Sequence, residues 1–394
     1  MRFFLHSDFI SDKVPVTDRS HPVRAARGHR YRWLGALLAL AGVTAGACHY
    51  DSFSPSVPVF GPYTIHQLGL LSGGTASQAY AGAASIIVGY ATDAGGKRRA
   101  VTFAGGAATR LPEPSGATTS QARSVNTSGT IAGFATVSGQ QEALVWPSAT
   151  TAPVVLPGLG GTYQSARAIN AVGAILGTAQ TDSGDTVLVL WQPGDSGYAV
   201  ARLDSADTAQ SGGGFEAAAL NALGQAAGNN PDGDTGFLWN PGGGFEEVDA
   251  PNNGSNVDVN GFNNFGVIVG DFTTASGTQV LGLLYTGAQG SLPLGAPPAP
   301  YTNVAGSAVT DSGAIIGYAF TSSASGSDST AAVVVGSIID TADVWTVLPT
   351  LGGTLAEPSD NGVTPCGVIL GYALLPNNAN RQAAAWVPPG CTIP

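Results

Sequence analysis

Short apolar runs recur along this chain between clusters of Gly, Ser, Asn and Asp, and the same order of turn and run keeps returning. Asn126-Thr127-Ser128-Gly129 leads into Thr130-Ile131-Ala132-Gly133, and Asn170-Ala171-Val172-Gly173 into Ala174-Ile175-Leu176-Gly177. Asn221 through Gly224 to Gly228 and Asn263 through Gly266 to Gly270 repeat the line. Two further copies begin with Thr310 and Thr364, and the first keeps only Ile86-Ile87-Val88-Gly89. Asn and Gly accept positive φ at little cost, so Asn-x-x-Gly is a turn. The apolar run after it is too short for a helix and is flanked by glycines, which makes it a strand.

Each copy continues alike. A polar turn is followed by a second apolar run ending in an aromatic: Phe103, Trp146, Trp191, Trp239, Tyr285 and Trp386. The sixth copy ends in Val333-Val334-Val335 without one. A further strand then leads into Leu-Gly-Gly-Thr, clearest at Leu159–Thr162 and Leu351–Thr354. Four strands in roughly 45 residues is the signature of a propeller blade, and the recurring aromatic reads as a packing residue between blades. The expectation is an all-β fold: one seven-bladed β-propeller spanning 62–394. The seventh copy lacks its last strand, and residues 63–68 align with that strand elsewhere, so an N-terminal strand should close the ring. An open solenoid would need polar capping repeats, and none is evident.

The first residues differ from the rest. Leu34–Ala47 is an apolar run of small residues behind a basic stretch, too short to span a bilayer comfortably, and Cys48 follows it. Residues 1–47 read as an export signal, Ala45-Gly46-Ala47-Cys48 as a lipobox with Cys48 the lipid anchor, and 48–61 as a Pro- and Ser-rich tether. A plain secretory signal is the alternative. The chain carries −11 overall; seven of its 15 basic and three of its 26 acidic residues lie in 1–33, which leaves −15 beyond them. Such a body repels nucleic acid and anionic membrane surfaces, so membrane contact is expected through the lipid alone.

The repeats resemble the HAF family of extracellular repeats, whose unit is similar to LGxLGG-T-x-S-x-A-x-x-IN-x-x-G-x-VVG followed by HAFLW. The likeness covers about 62–390 and is best from Leu159 to Trp191. The His of the naming tripeptide is missing from every copy. The resemblance implies a surface or envelope location and no particular reaction.

Catalytic chemistry has little to work with. All five His precede the first full repeat, which argues against a Ser–His–Asp or Cys–His arrangement and against zinc. The pairs Asp182 with Asp185 and Asp232 with Asp234 fall in expected turns, and 229–234 lacks the full spacing of a calcium loop. No cofactor and no metal site are expected. Cys366 and Cys391 suggest one disulfide near the closure point in an oxidising compartment, with two separate buried thiols as the alternative. Three residues before the repeat Asn, or its aligned equivalent, stand Tyr80, Arg123, Arg167, Ala218, Asn260, Ser307 and Asn361. On the innermost strands, the polar members Tyr80, Arg123, Arg167, Asn260 and Asn361 would rim one mouth of the central channel as a ligand-binding site; the alternative, which weighs more, is that the arginines pair internally with a neighbouring carboxylate or cap backbone carbonyls. The leading reading is a monomeric, non-enzymatic lipoprotein of the bacterial cell envelope, or a secreted one, that binds a protein or glycan. The alternatives are a carboxylate-dependent glycan hydrolase or lyase at the channel mouth, and a purely structural surface component.

Overall fold

The computed structural model describes residues 61–83, 85–203, 214–231, 233–321, 330–337, 345–376 and 380–393. The signal segment, Cys48, most of the tether and Asp232 lie outside the described residues. Among these residues the chain is all-β, with 28 strands and one short 3-10 turn at Pro251–Asn253. No helix among them is long and apolar enough to cross a membrane.

In chain order the strands fall into antiparallel groups: β2–β5 over 77–110, β6–β9 over 117–155, β10–β13 over 160–202, β14–β17 over 216–248, β18–β21 over 255–293 and β22–β25 over 303–347. The second and third groups are joined into one eight-stranded sheet by a single parallel pairing of Tyr163 with Gln141. The last group, β26–β28 over 356–387, holds three strands from the C-terminal end of the chain and gains its fourth from the other end. There β1 (Thr64–Gln67) lies antiparallel to β28 (Arg381–Val387), with Ile65 opposite Trp386. The first strands of successive groups contact one another, and β26 in turn contacts β2.

The core lies between neighbouring sheets. One apolar cluster joins Val88 and Ala100 to Ile131 and Trp146; another joins Ile87 and Val101 to Leu370 and Ala385, linking the first group to the last. Trp146, Trp191 and Trp386 are fully buried. Each donates its indole N–H to a carbonyl of the segment entering its group: Pro112 (2.7 Å), Pro157 (2.8 Å) and Pro349 (2.7 Å). An indole buried with its N–H satisfied contributes its large apolar area without an unmet polar group. The sixth group lacks the aromatic, and Trp345, from the segment leading to its last strand, donates to Gly295 O at 3.2 Å instead.

Two repeat residues acquire physical reasons. At the closing glycines a Cβ would strike a carbonyl oxygen of the adjacent first strand: 2.0 Å from Gln78 O at Gly89, 2.0 Å from Ser165 O at Gly177 and 1.8 Å from Asp258 O at Gly270. The repeat Asn does two jobs. Its Oδ1 closes its own turn, as in Asn221 accepting from Leu223 N and Gln225 N at 3.0 Å. Its Nδ2 donates to the next turn: Asn126 to Asn170 O (3.1 Å), Asn170 to Asn221 O (3.2 Å), Asn221 to Asn263 O (3.3 Å) and Asn263 to Thr310 O (3.1 Å). Where Thr replaces Asn, at Thr310 and Thr364, the hydroxyl accepts from Ala314 N and Val368 N but does not extend the ladder.

Candidate functional site

The first strand of every group is irregular at the same place. Its register with the second strand shifts between Ala79 and Ala81, Ala122 and Ser124, Ala166 and Ala168, Ala217 and Ala219, Val259 and Gly261, and Gly306 and Ala308. In the last group it shifts between Pro358 and Val363. The residues left over are Tyr80, Arg123, Arg167, Ala218, Asn260 and Ser307, with Asn361 inside the seventh irregularity at φ 52°. A bulge leaves one residue out of the ladder and re-aims its side chain. The aligned polar positions of the sequence are therefore the bulge positions of the fold.

Their partners differ. Tyr80 is buried and donates its hydroxyl to Gln121 Oε1 at 3.1 Å. The Arg123 guanidinium lies over the Tyr80 ring, 4.0 Å from its centroid, a cation–π contact that fixes the head group. Arg123 reaches one protein acceptor, Gln121 Oε1, at 3.4 Å, and takes part in no ion pair among the described residues. By contrast Arg99 is paired with Asp93 and Glu113, and Arg110 with Glu113. Arg167 donates through one terminal nitrogen to Asp360 Oδ2 at 2.7 Å. That bond joins the third group to the last, strands 193 residues apart in sequence, and both side chains keep about a fifth of their surface exposed, 21% and 17%. Asn260 is buried and bridges Asp271 Oδ2 (3.2 Å) and Gly306 O (3.0 Å). Ser307 is buried with its hydroxyl unpartnered.

Carboxylates gather beside this layer. Asp258 and Asp271 stand directly opposite each other on β18 and β19, where like charges repel, and each accepts an amide proton, from Asn229 (3.1 Å) and Asn260. Tyr372 donates to Glu357 Oε2 at 2.5 Å. Burial pushes the Tyr372 and Tyr318 phenols well above their ordinary 10.0. Nearby negative charge adds to this, from Glu357 in both cases and from Asp271 and Asp360 for Tyr318. Among the described residues no three His, Cys, Asp or Glu side chains are grouped to hold a metal ion. Cys366 and Cys391 form a disulfide, fastening the turn before β27 (Ile369–Leu374) to the segment after β28.

Sequence reading alone missed Asp360 and Gln121, the partners of the two arginines. It also missed three apolar side chains on the first turns: Val172, Leu223 and Phe265, which are 71, 65 and 51% exposed. Their signal was present, since each fills the second variable position of Asn-x-x-Gly, where the other turns carry Ser128, Ser312 and Cys366.

No protein-family model matches the chain, and no curated protein matches it by sequence. Among solved structures it is similar to YCF48 bound to D1 peptide, with 13% identity over 86% of this chain and 100% of that one and a TM-score of 0.51. It is also similar to a streptogramin B lyase (13% identity, 83% and 98% covered, TM-score 0.47) and to TolB from Acinetobacter baumannii (15%, 81% and 64%, 0.33). At such identities the likeness bears on the fold alone: the chain is an all-β protein of propeller type.

Proposed function

We propose that this chain is an exported, lipid-anchored seven-bladed propeller that binds a protein or glycan partner at one mouth of its central channel. The four-stranded groups would be the blades, and β1 would complete the seventh and close the ring. The observation that carries the binding reading is the irregularity repeated in every first strand. A bulge costs a ladder position, and it is kept in six repeats, with a longer irregularity at the same place in the seventh, while the residue it re-aims varies from Ala to Arg. Constant geometry with variable side chains is the pattern of a recognition rim on a fixed scaffold. The similarity to a peptide-bound protein agrees with such a scaffold, but the binding reading rests on the rim's own chemistry.

A glycan hydrolase or lyase is the second reading, favoured by one observation, the opposed pair Asp258 and Asp271. Each carboxylate already holds an asparagine amide, which suits a structural role better than a general acid or base and leaves binding ahead.

Location rests on the sequence: the apolar run to Ala47, Cys48 and the resemblance to HAF repeats. Cys48→Ser should move the protein from the membrane pellet to the soluble fraction, followed by fractionation and mass analysis of the mature N-terminus. A mutant that still sediments, together with an unmodified Cys48 in the unmutated chain, overturns the anchor.

A further inference from the structure

The first turns and the bulges just before them lie at the same end of the first strands. Arg167 stands three residues before Asn170, and Val172 two after it. The Asn ladder strings the turns together in order, so Val172, Leu223 and Phe265 stand on three consecutive turns, those of the third, fourth and fifth groups, and Val172 shares the third group with the Arg167 bulge. Scattered exposed hydrophobics need no explanation, but a run of them on successive equivalent turns is a patch, and such patches mark contact surfaces. On the same rim, Arg123 is stacked on Tyr80 with most of its forked donors unfilled among the described residues, and Arg167 engages Asp360 through a single terminal nitrogen.

We propose that this rim docks a partner protein through a segment carrying a carboxylate side chain between aliphatic ones. The carboxylate would accept from the free edge of Arg123 and the unused edge of Arg167, and the aliphatic groups would cover Val172, Leu223 and Phe265. Guanidinium is the planar, forked donor suited to a carboxylate, and stacking on Tyr80 orders Arg123 before binding. A neutral sugar would leave those donors half filled, and of the three exposed side chains only Phe265 offers a pyranose face a flat ring, while the branched Val172 and Leu223 offer none. The patch and the cations together therefore favour a protein segment over a glycan. This inference rests on the channel-mouth reading and narrows it to one partner class.

The test uses the full-length chain and three probes in fluorine NMR titrations: a fluoroacetylated, amidated Gly-Leu-Glu-Leu-Gly, its Gln counterpart, and glucuronate as competitor. The Glu peptide should bind at least about tenfold more tightly than the Gln peptide, the worth of one charge-assisted hydrogen bond. Arg123→Gln should erase that preference, with Arg123→Lys as a second variant that keeps the charge and loses the fork. Leu223→Ser with Phe265→Ser should weaken both peptides and leave the melting temperature in place, since both side chains are exposed. Equal binding of the Glu and Gln peptides overturns the inference. Glucuronate displacing the peptide at equal concentration also overturns it, in favour of a glycan, and leaves the channel-mouth reading standing. Binding of none of the probes overturns both.

Discussion

Replacing Gly270 by Ala tests the packing of the first two strands of a repeat. Gly270 lies on β19 (Ile268–Thr273) opposite Val259, beside the bulge at Asn260. A Cβ there would sit 1.8 Å from Asp258 O, 2.9 Å from its carbonyl carbon and 3.1 Å from Val259 Cα, whereas real Cβ contacts are essentially never under 3.0 Å. The two backbones must therefore separate by more than 1 Å, from 1.8 to at least 3.0 Å. No flexible side chain is available to yield, because every atom in the way is backbone. Overpacking of this kind costs about 1–3 kcal/mol, and each neighbouring ladder hydrogen bond stretched beyond range adds about 1 kcal/mol. At about 2.1 cal/mol/K of unfolding entropy per residue, a total of about 3–5 kcal/mol in a body of about 330 residues lowers Tm by roughly 4–7 °C. Gly277→Ala is the control. Its φ is 69° with nothing within 4 Å, so it tests the left-handed backbone alone and should cost about 1–2 kcal/mol. Scanning calorimetry of the two variants decides the matter. If Gly270→Ala melts within about 2 °C of the unmutated chain, or no lower than Gly277→Ala, the steric account of the repeat glycine is wrong.

Two further outcomes are expected. Deleting 61–68 removes β1 and buried Leu68, baring the edge of β28, so the chain should aggregate in light scattering; a truncated protein that stays monomeric and melts like the full one would refute closure by β1. Tyr318 and Tyr372 have folded-state pKa values raised by burial, so their contribution to stability is fully present below about pH 10 and is lost as pH rises through the raised values. Phenolate absorbance should accordingly leave these two of the chain's 11 tyrosines un-ionised until the protein unfolds; their titration near pH 10 in the folded state would refute their burial.

What was legible in the sequence was whatever acts within a few residues. Asn-x-x-Gly specifies its own turn, because the Asn side chain bonds the backbone two and four residues on and the Gly supplies positive φ, as at Gly224 with 79°. The alternating turns and apolar runs dictated strands, and their recurrence dictated repeated four-stranded groups. The alignment of Tyr80, Arg123, Arg167, Asn260 and Asn361 was also visible as a column. That the column is a line of bulges was not, because a bulge is a property of register between two strands. For the same reason the closing glycine stands in the sequence only as a flank of the apolar run, yet it is required by the carbonyl pressed against it.

Tertiary structure alone decided the contacts that cross from one group to another. The Asn ladder needs neighbouring turns brought within 3.3 Å, and Arg167 meets Asp360 only because strands 193 residues apart face each other. Trp345 takes over the indole contact of the sixth group because its side chain reaches Gly295 O, although it stands in a different part of the repeat from Trp191. Such contacts depend on where whole sheets come to rest. Their positions are set by burial summed over every apolar face between neighbours, and no single stretch of sequence carries that sum.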